Sequence, residues 1–333
     1  MAHKGFLEII PAAAISEACQ DSAAIIINTT GDTSLISSLN ALFPQSAYKV
    51  YYTEPGINQL KETIAICSEL KIISIVLCGE ELPDLKVFAP TENYSVSLIS
   101  AGSGEDKNNI LTHILEDELV SDFSHIAYQS YKYDPQILQK TMERSFEELR
   151  IGAIRGDISI VEPYLRSNHY LFLDMRSVRF SDFPESLTKS PNGLYAEEIC
   201  QLARYIGMGQ NLIACYIYGY TSKFKPKSTS EQLLAEVLWH MFEAISSNVY
   251  EDPGNPETED LLLRKIVSMG REGQDLDFFT STSTGRWWMK IPEVKNNTNQ
   301  YVACSYSDYV TACSGEIPMR WLFFYQKINH NLL

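Results

Sequence analysis

The sequence lacks most of the signatures by which an active site announces itself. It holds no HExxH or HxH pair, no GxSxG elbow and no CxxC pair. The first absence excludes the usual helical zinc hydrolases, the second the α/β serine hydrolases, and the third a structural zinc site built on paired cysteines. Histidine is scarce: His3, His113, His125, His169, His240 and His330 are scattered singly. The local pattern puts His113 and His240 on helices and His125 and His169 near strand starts. These places lie away from the edge where a parallel sheet collects ligands, so core or surface roles are expected for all six.

Positive charge is short as well. Lys and Arg number 27 against 42 Asp and Glu, a formal net charge of −15. Such a surface repels phosphate backbones and anionic lipid head groups, and no run of basic residues makes a local exception. Nucleic acid and membrane are therefore set aside as partners. No apolar stretch approaches the ~20 residues of a membrane span, and Met1 to Pro11 lacks the basic-then-apolar pattern of a secretory signal. The seven cysteines are isolated, odd in number and mostly inside apolar runs. Buried reduced thiols in a cytoplasmic protein are the simplest expectation.

What is present is a strong core-forming pattern. Hydrophobic residues make up 45% of 333, enough for one large α/β domain. Short apolar runs alternate with amphipathic stretches. Ala23–Ile27, Tyr48–Tyr52, Ile72–Leu77, Tyr94–Ile99, Ser124–Gln129, Leu149–Ile154, Tyr170–Asp174 and Leu212–Tyr218 read as strands. Helices are expected over Asp32–Phe43, from Pro55, and over Asn108–Leu119, Pro135–Phe146, Ile158–Arg166, Tyr195–Ile206 and Glu231–Ser247. The alternation predicts a mostly parallel sheet with helices on both faces. The Pro253-Gly254 and Pro256 stretch is the clearest linker signal. We therefore read 1–333 as a single domain, with 258–333 an irregular, aromatic-rich segment laid over it: one more strand, then extended chain.

Residues that follow strands carry the chemistry in such a sheet. After Tyr94–Ile99 comes Ser100-Ala101-Gly102-Ser103-Gly104-Glu105-Asp106. Its glycines could cradle an anion, but Glu105 and Asp106 oppose one, so a tight turn with acidic capping is preferred. After Tyr170–Leu173 comes Asp174-Met175-Arg176, then Arg179 and Asp182. Asp174 and Arg176 lie two apart and should pair. That pair is either a structural tie or a grip on a zwitterionic ligand, and the tie is the more common arrangement. Trp287-Trp288 could stack on a ligand, but an aromatic plug or subunit contact is preferred.

Several segments resemble the arginase, agmatinase and formimidoylglutamase superfamily, in the branch found in Bacteroidetes-type bacteria. They are Ser190-Pro191-Asn192-Gly193-Leu194-Tyr195-Ala196-Glu197-Glu198 and Gln201-Leu202-Ala203-Arg204-Tyr205-Ile206-Gly207. Val161-Glu162-Pro163-Tyr164-Leu165-Arg166, Asp174 to Pro184, Arg286-Trp287-Trp288-Met289, Cys304 to Tyr309 and Glu316 to Trp321 extend the likeness. The resemblance implies a three-layer α/β/α fold around a mostly parallel sheet of about eight strands. It also implies two manganese ions at the strand ends, which activate a water for attack on a guanidinium or formimino carbon.

This chain departs from that pattern at each ligand turn. Where the family carries Gly-Gly-x-His, it has Cys78-Gly79-Glu80-Glu81. Where the family carries Asp-Ala-His-x-Asp, it has Ser100-Ala101-Gly102-Ser103-Gly104. Where the family carries Ser-x-Asp-x-Asp, Asp174 remains but Arg176 takes the second aspartate's place, and Gly219 stands where the family has a substrate-contacting Glu. Asp174, Asp182 and Glu80 are vestiges, too few donors for a divalent pair. The expectation is no metal cofactor, with Arg176 standing in for the lost cation. The leading reading is an inactive homologue that binds or scaffolds, in a homo-oligomer or with an unknown protein partner. A hydrolase of a formimino or guanidino compound with an altered site is the second reading. A sensor of an amino-acid-like molecule, held by Arg176, Arg179, Asp174 and Asn192, is the third.

Overall fold

The computed structural model describes residues 7–19, 23–45, 48–83, 92–103, 110–270 and 275–329. The chain forms two compact units. One comprises Met1–Val161 with Ser167–Asn248, the other Glu162–Arg166 with Val249–Leu333.

In the first unit the continuous apolar runs of the inner strands hold extended because they can be buried on both faces. The strands are β1 (Leu7–Ile9), β2 (Ala24–Asn28), β3 (Val50–Thr53), β4 (Ile73–Gly79), β5 (Tyr94–Ile99), β6 (Val120–Tyr128), β7 (Glu147–Arg150), β8 (Tyr170–Asp174) and β9 (Ala214–Tyr218). They form one nine-stranded sheet in the order β1-β3-β2-β4-β9-β8-β5-β6-β7. Every pairing is parallel. Ile25, Ile26, Ile27, Ile75 and Val76 are wholly buried, as a sheet covered on both faces requires. The intervening helices are α1 (Ile15–Ala18), α2 (Ser34–Asn40), α3 (Leu60–Glu69), α4 (Ile110–Glu116), α5 (Pro135–Glu143) and α6 (Ile151–Gly156). After α7 (Glu162–Leu165), which belongs to the second unit, come α8 (Ala196–Gly207) and α9 (Thr229–Ser246).

The strand order fixes where a ligand could sit. The chain leaves β5 toward β6 on one side and leaves β8 toward β9 on the other. The carboxyl ends of the adjacent β5 and β8 therefore form a topological switch point, the crevice where open parallel sheets place ligands. One expected strand is corrected here. Instead of running over Leu149–Ile154, β7 stops at Arg150 and α6 begins at Ile151. As the sheet's last strand, β7 buries only Leu149, so little holds the chain extended beyond it.

The second unit overturns the expectation of one strand and an extended tail. It contains β10 (Leu262–Val267), β11 (Leu276–Ser281), β12 (Trp287–Glu293) and β13 (Thr298–Cys304), all antiparallel, then α10 (Tyr306–Cys313) and α11 (Met319–Asn329). Alternation explains the sheet. Leu276, Phe278, Met289, Ile291 and Cys304 share a core with Ala312 and Trp321. Between them, Asp277 pairs with Arg264 at 2.7 Å and with Lys290 at 3.6 Å. Trp287 stacks on Tyr309, ring centroids 4.7 Å apart, as an internal plug. Its main segment runs from Val249 to Leu333.

A closed ionic cluster sits in this second unit. Arg166 donates from Nε to Glu162 at 2.8 Å and from Nη1 to the Trp287 carbonyl at 2.9 Å. Its guanidinium lies 4.5 Å from the Trp288 ring centroid. Arg286 lies 3.7 Å from Glu162 and 3.9 Å from Glu251. Glu251, wholly buried, also accepts the hydroxyls of Ser281, Ser283 and Thr284.

All seven cysteines are free thiols, six of them buried and Cys313 exposed. Among the described residues no helix is long and apolar enough to cross a membrane.

Candidate functional site

The site is built outward from the end of β8. Leu171, Phe172 and Leu173 anchor that strand between β9 and β5. The next residue, Asp174, is left 6% exposed at the switch point. A buried carboxylate needs donors. Asp174 finds them within its own turn, accepting the Arg176 backbone N–H at 2.9 Å and the Arg176 Nε at 2.8 and 3.0 Å. The expected pairing is therefore present. It arises through the tight turn Met175–Ser177 rather than through strand alternation.

Gly219 makes room for this pair at the end of β9. Its φ is +84°, in the left-handed region. A Cβ there would stand 2.3 Å from Asp174 Oδ1 and 3.1 Å from Arg176 Cγ. The space beside the Gly219 Cα is thus filled by a neighbour's ion pair. The Arg176 guanidinium lies 5.6 Å from the Tyr218 ring centroid.

The other expected residues fall into different settings. Arg179 Nε lies 2.8 Å from Asp182 Oδ1, and its guanidinium sits 4.1 Å from the Tyr195 ring centroid. Asp182 also accepts the first amide of α8, Ala196, at 3.0 Å and the Ser181 hydroxyl at 2.9 Å. Burial alone would raise the Asp182 carboxyl. The Arg179 pair and these donors outweigh burial and hold it below the usual carboxylate range. Arg179 and Asp182 therefore act as a cap and brace for α8. Glu80 is exposed beyond β4. Asn192 is exposed too, and its carbonyl accepts from Ser190 Oγ at 2.8 Å and from Gln129 Nε2 at 3.4 Å.

Residues not singled out in the sequence complete the strand-end cluster. Lys132 follows β6, and its Nζ donates to Ser190 Oγ at 2.7 Å. Burial pushes its amine down, and attraction to Asp174 opposes that only in part. The glycine loop after β5 serves this lysine. The Ser103 N–H donates to the Lys132 carbonyl at 3.2 Å, and a Cβ on Gly102 would stand 2.2 Å from that oxygen. The rest of the expected cradle, Gly104, Glu105 and Asp106, lies outside the described residues. The buried Gln129 accepts the Tyr131 hydroxyl, and Asn192 Nδ2 reaches that hydroxyl at 3.4 Å. The signal that could have found Lys132 is its place just past the β6 strand end, the rule already applied to the other strands.

His125 also departs from expectation. It lies within β6, wholly buried, with Nε2 2.8 Å from Ser100 Oγ at the β5 end. Burial lowers its pKa to about 3, so the ring is neutral, and rings of Phe123, Tyr128 and Tyr133 surround it. A core role stands, but the side chain reaches the carboxyl edge rather than lying remote from it.

These donors do not suit a manganese pair. Among the described residues no three His, Cys, Asp or Glu side chains converge as a metal site. At the β8 end, the retained carboxylate is already bonded to a guanidinium, whose fixed charge repels a divalent ion. A cavity of about 570 Å³ lies elsewhere, between α2 and α9, with Ser34, Ser38, Leu42, Lys227 and Glu236 in its wall.

No family model matches the chain, and no curated protein matches it. Solved structures do. Formiminoglutamase from Trypanosoma cruzi superposes with a TM-score of 0.60 at 13% identity, covering 72% of this chain and 99% of that one. Formimidoylglutamase from Bacillus subtilis gives 0.58 at 12% identity, covering 73% and 91%. Agmatine ureohydrolase from Thermoplasma volcanium gives 0.53 at 12% identity, covering 71% and 94%. The T. cruzi protein is also known with manganese bound. At this identity the likeness shows the fold: an arginase-like α/β architecture around a parallel sheet.

Proposed function

We propose that this chain is an arginase-fold protein that has given up binuclear-metal hydrolysis and acts by binding. The observation that carries the reading is the Asp174–Arg176 pair, with Gly219 shaped around it. A divalent pair needs several anionic or imidazole donors on one spot. Here a guanidinium takes the metal's place beside the surviving carboxylate, and Asp182 is spent on Arg179 and the α8 terminus. Assembly as a homo-oligomer or on a protein partner belongs to this proposal, as does the cytoplasmic setting.

The test is metal content after loading with manganese and desalting. The expected result is well under one tightly held ion per chain. Two retained ions per chain, or release of urea or ammonia from arginine, agmatine or formimidoylglutamate, would reject the reading and favour the altered hydrolase.

A second reading, recognition of an amino-acid-like small molecule, is favoured by Lys132. Its ammonium is partly buried and held by a serine hydroxyl, and among the described residues no carboxylate oxygen lies within salt-bridge distance of it. Arg176 and Arg179, the cations first expected to hold such a ligand, are each engaged by an aspartate.

A further inference from the structure

A partly buried ammonium is costly unless a counter-ion or several acceptors face it. Among the described residues Lys132 has one acceptor, the Ser190 hydroxyl, and a carboxylate, Asp174, that attracts it only at longer range. Asp174 meanwhile is bonded to Arg176. The amine is nonetheless held in place from both sides. Ser103 and Gly102 of the β5 loop grip its backbone, and Tyr133, the next residue, is buried. Ser190 is itself tied down, because its hydroxyl donates to the Asn192 carbonyl at 2.8 Å. Gln129, buried behind them, joins Asn192 to Tyr131. The result is a fixed cation backed by a neutral network of hydroxyl and amide groups, beside the switch point between β5 and β8.

We propose that Lys132, positioned by Ser190, is the recognition point for the carboxylate of a small molecule carrying a single carboxylate, at the strand-end crevice. The assignment rests on the reading that no metal pair occupies this crevice. Charge decides between anions. A single ammonium balances a single negative charge, and Asp174 together with a chain of net charge −15 disfavours a dianion such as phosphate. A carboxylate is planar and accepts a charge-assisted hydrogen bond from an ammonium. The C-terminal carboxylate of a peptide shares this chemistry, so the test separates the two sources.

The experiment is a thermal-shift and calorimetric titration at constant ionic strength. The probes are acetate, glycine, inorganic phosphate, and tri-alanine with a free or an amidated C-terminus. We expect acetate and glycine to raise the melting temperature and phosphate to leave it unchanged. Lys132→Met should weaken the carboxylate on the order of tenfold or more, the scale of a charge-assisted hydrogen bond. Lys132→Arg should retain part of the binding. A second measurement covers a Met variant that does not fold. Reductive methylation of the wild-type chain, followed by mass spectrometry, should modify Lys132 more slowly when acetate is present. No shift with acetate or glycine, equal binding by phosphate, unchanged affinity in Lys132→Met, or labelling of Lys132 indifferent to acetate would each overturn the proposal. Preference for free-C-terminus tri-alanine over acetate would overturn the small-molecule assignment. Manganese content is measured separately, so a retained metal pair would refute the functional reading without being mistaken for failure here.

Discussion

Two groups of charges, one in each unit, show how differently arginine can be used. In the second unit, Arg166 and Arg286 face Glu162 and Glu251, and three of the four side chains have at most 3% of their surface exposed. Charges balance two against two, hydroxyls fill remaining lone pairs, and Trp288 covers one guanidinium. Such a cluster fastens α7 to the β-sheet of its own unit. At the β8 end of the first unit, Asp174 and Arg176 pair within one turn, with 8% and 15% of their side chains exposed. Lys132 adds a second cation beside them, held by a hydroxyl instead of a carboxylate. The balanced cluster draws its counter-charges from within its own unit. The strand-end cluster reaches solvent and keeps an ammonium whose nearest partner among the described residues is neutral.

This contrast can be broken most forcefully in the closed cluster. Glu251→Ala should leave two guanidinium groups facing the single carboxylate of Glu162 and remove the acceptor shared by the hydroxyls of Ser281, Ser283 and Thr284. Removing one partner of a buried pair costs about 3–5 kcal/mol. Urea unfolding that monitors the tryptophans, of which Trp287, Trp288 and Trp321 lie in this unit, should show the loss. A cost below about 1 kcal/mol would mean that the cluster is not the fastening it resembles.

The strand end should respond next. Gly219→Ala puts a methyl group 2.3 Å from Asp174 Oδ1 at a φ of +84°. The carboxylate, Arg176 or the β9 end must move, at a cost of about 1–3 kcal/mol for strain and overpacking together. The same urea titration checks this figure. A neutral or stabilising result would show that the pair is loosely held, and the claim that it occupies the metal's place would lose its support.

The difference between the units also marks what could be read from the sequence. The parallel sheet was legible because its strands are continuous apolar runs: Tyr94–Ile99 and Tyr170–Asp174 begin and end where expected. The Asp174–Arg176 pair was legible because both partners sit in one short turn. The second unit's sheet was not. Its strands mix inward Leu276 and Phe278 with charged Asp277, and Pro292 lies inside β12, so neither a continuous run nor an uninterrupted alternation stands out. Lys132 and Ser190 escaped because they lie 58 positions apart and meet only when the sheet assembles with β5 between β6 and β8. The seat of His125 escaped for the same reason: its partner Ser100 lies on another strand.

The smallest effect is expected at Asp182, which sharpens the comparison by testing an ion pair that is neither closed nor ligand-facing. Its carboxyl is held below its ordinary value of 3.8 in the folded chain. A depressed acid binds its proton more weakly folded than unfolded. Its contribution is therefore complete above the unfolded value and disappears as pH falls through the lower, folded one. Asp182→Asn keeps an acceptor for the Ala196 amide but removes the charge that faces Arg179. Arg179 is about a third exposed, so solvent screens the pair and the loss near neutral pH should be below about 1 kcal/mol. The wild-type and variant stabilities should converge as the pH is lowered past about 3.8. A gap that stayed constant down the acid limb would mean that Asp182 acts on α8 through hydrogen-bond geometry alone, without help from its charge.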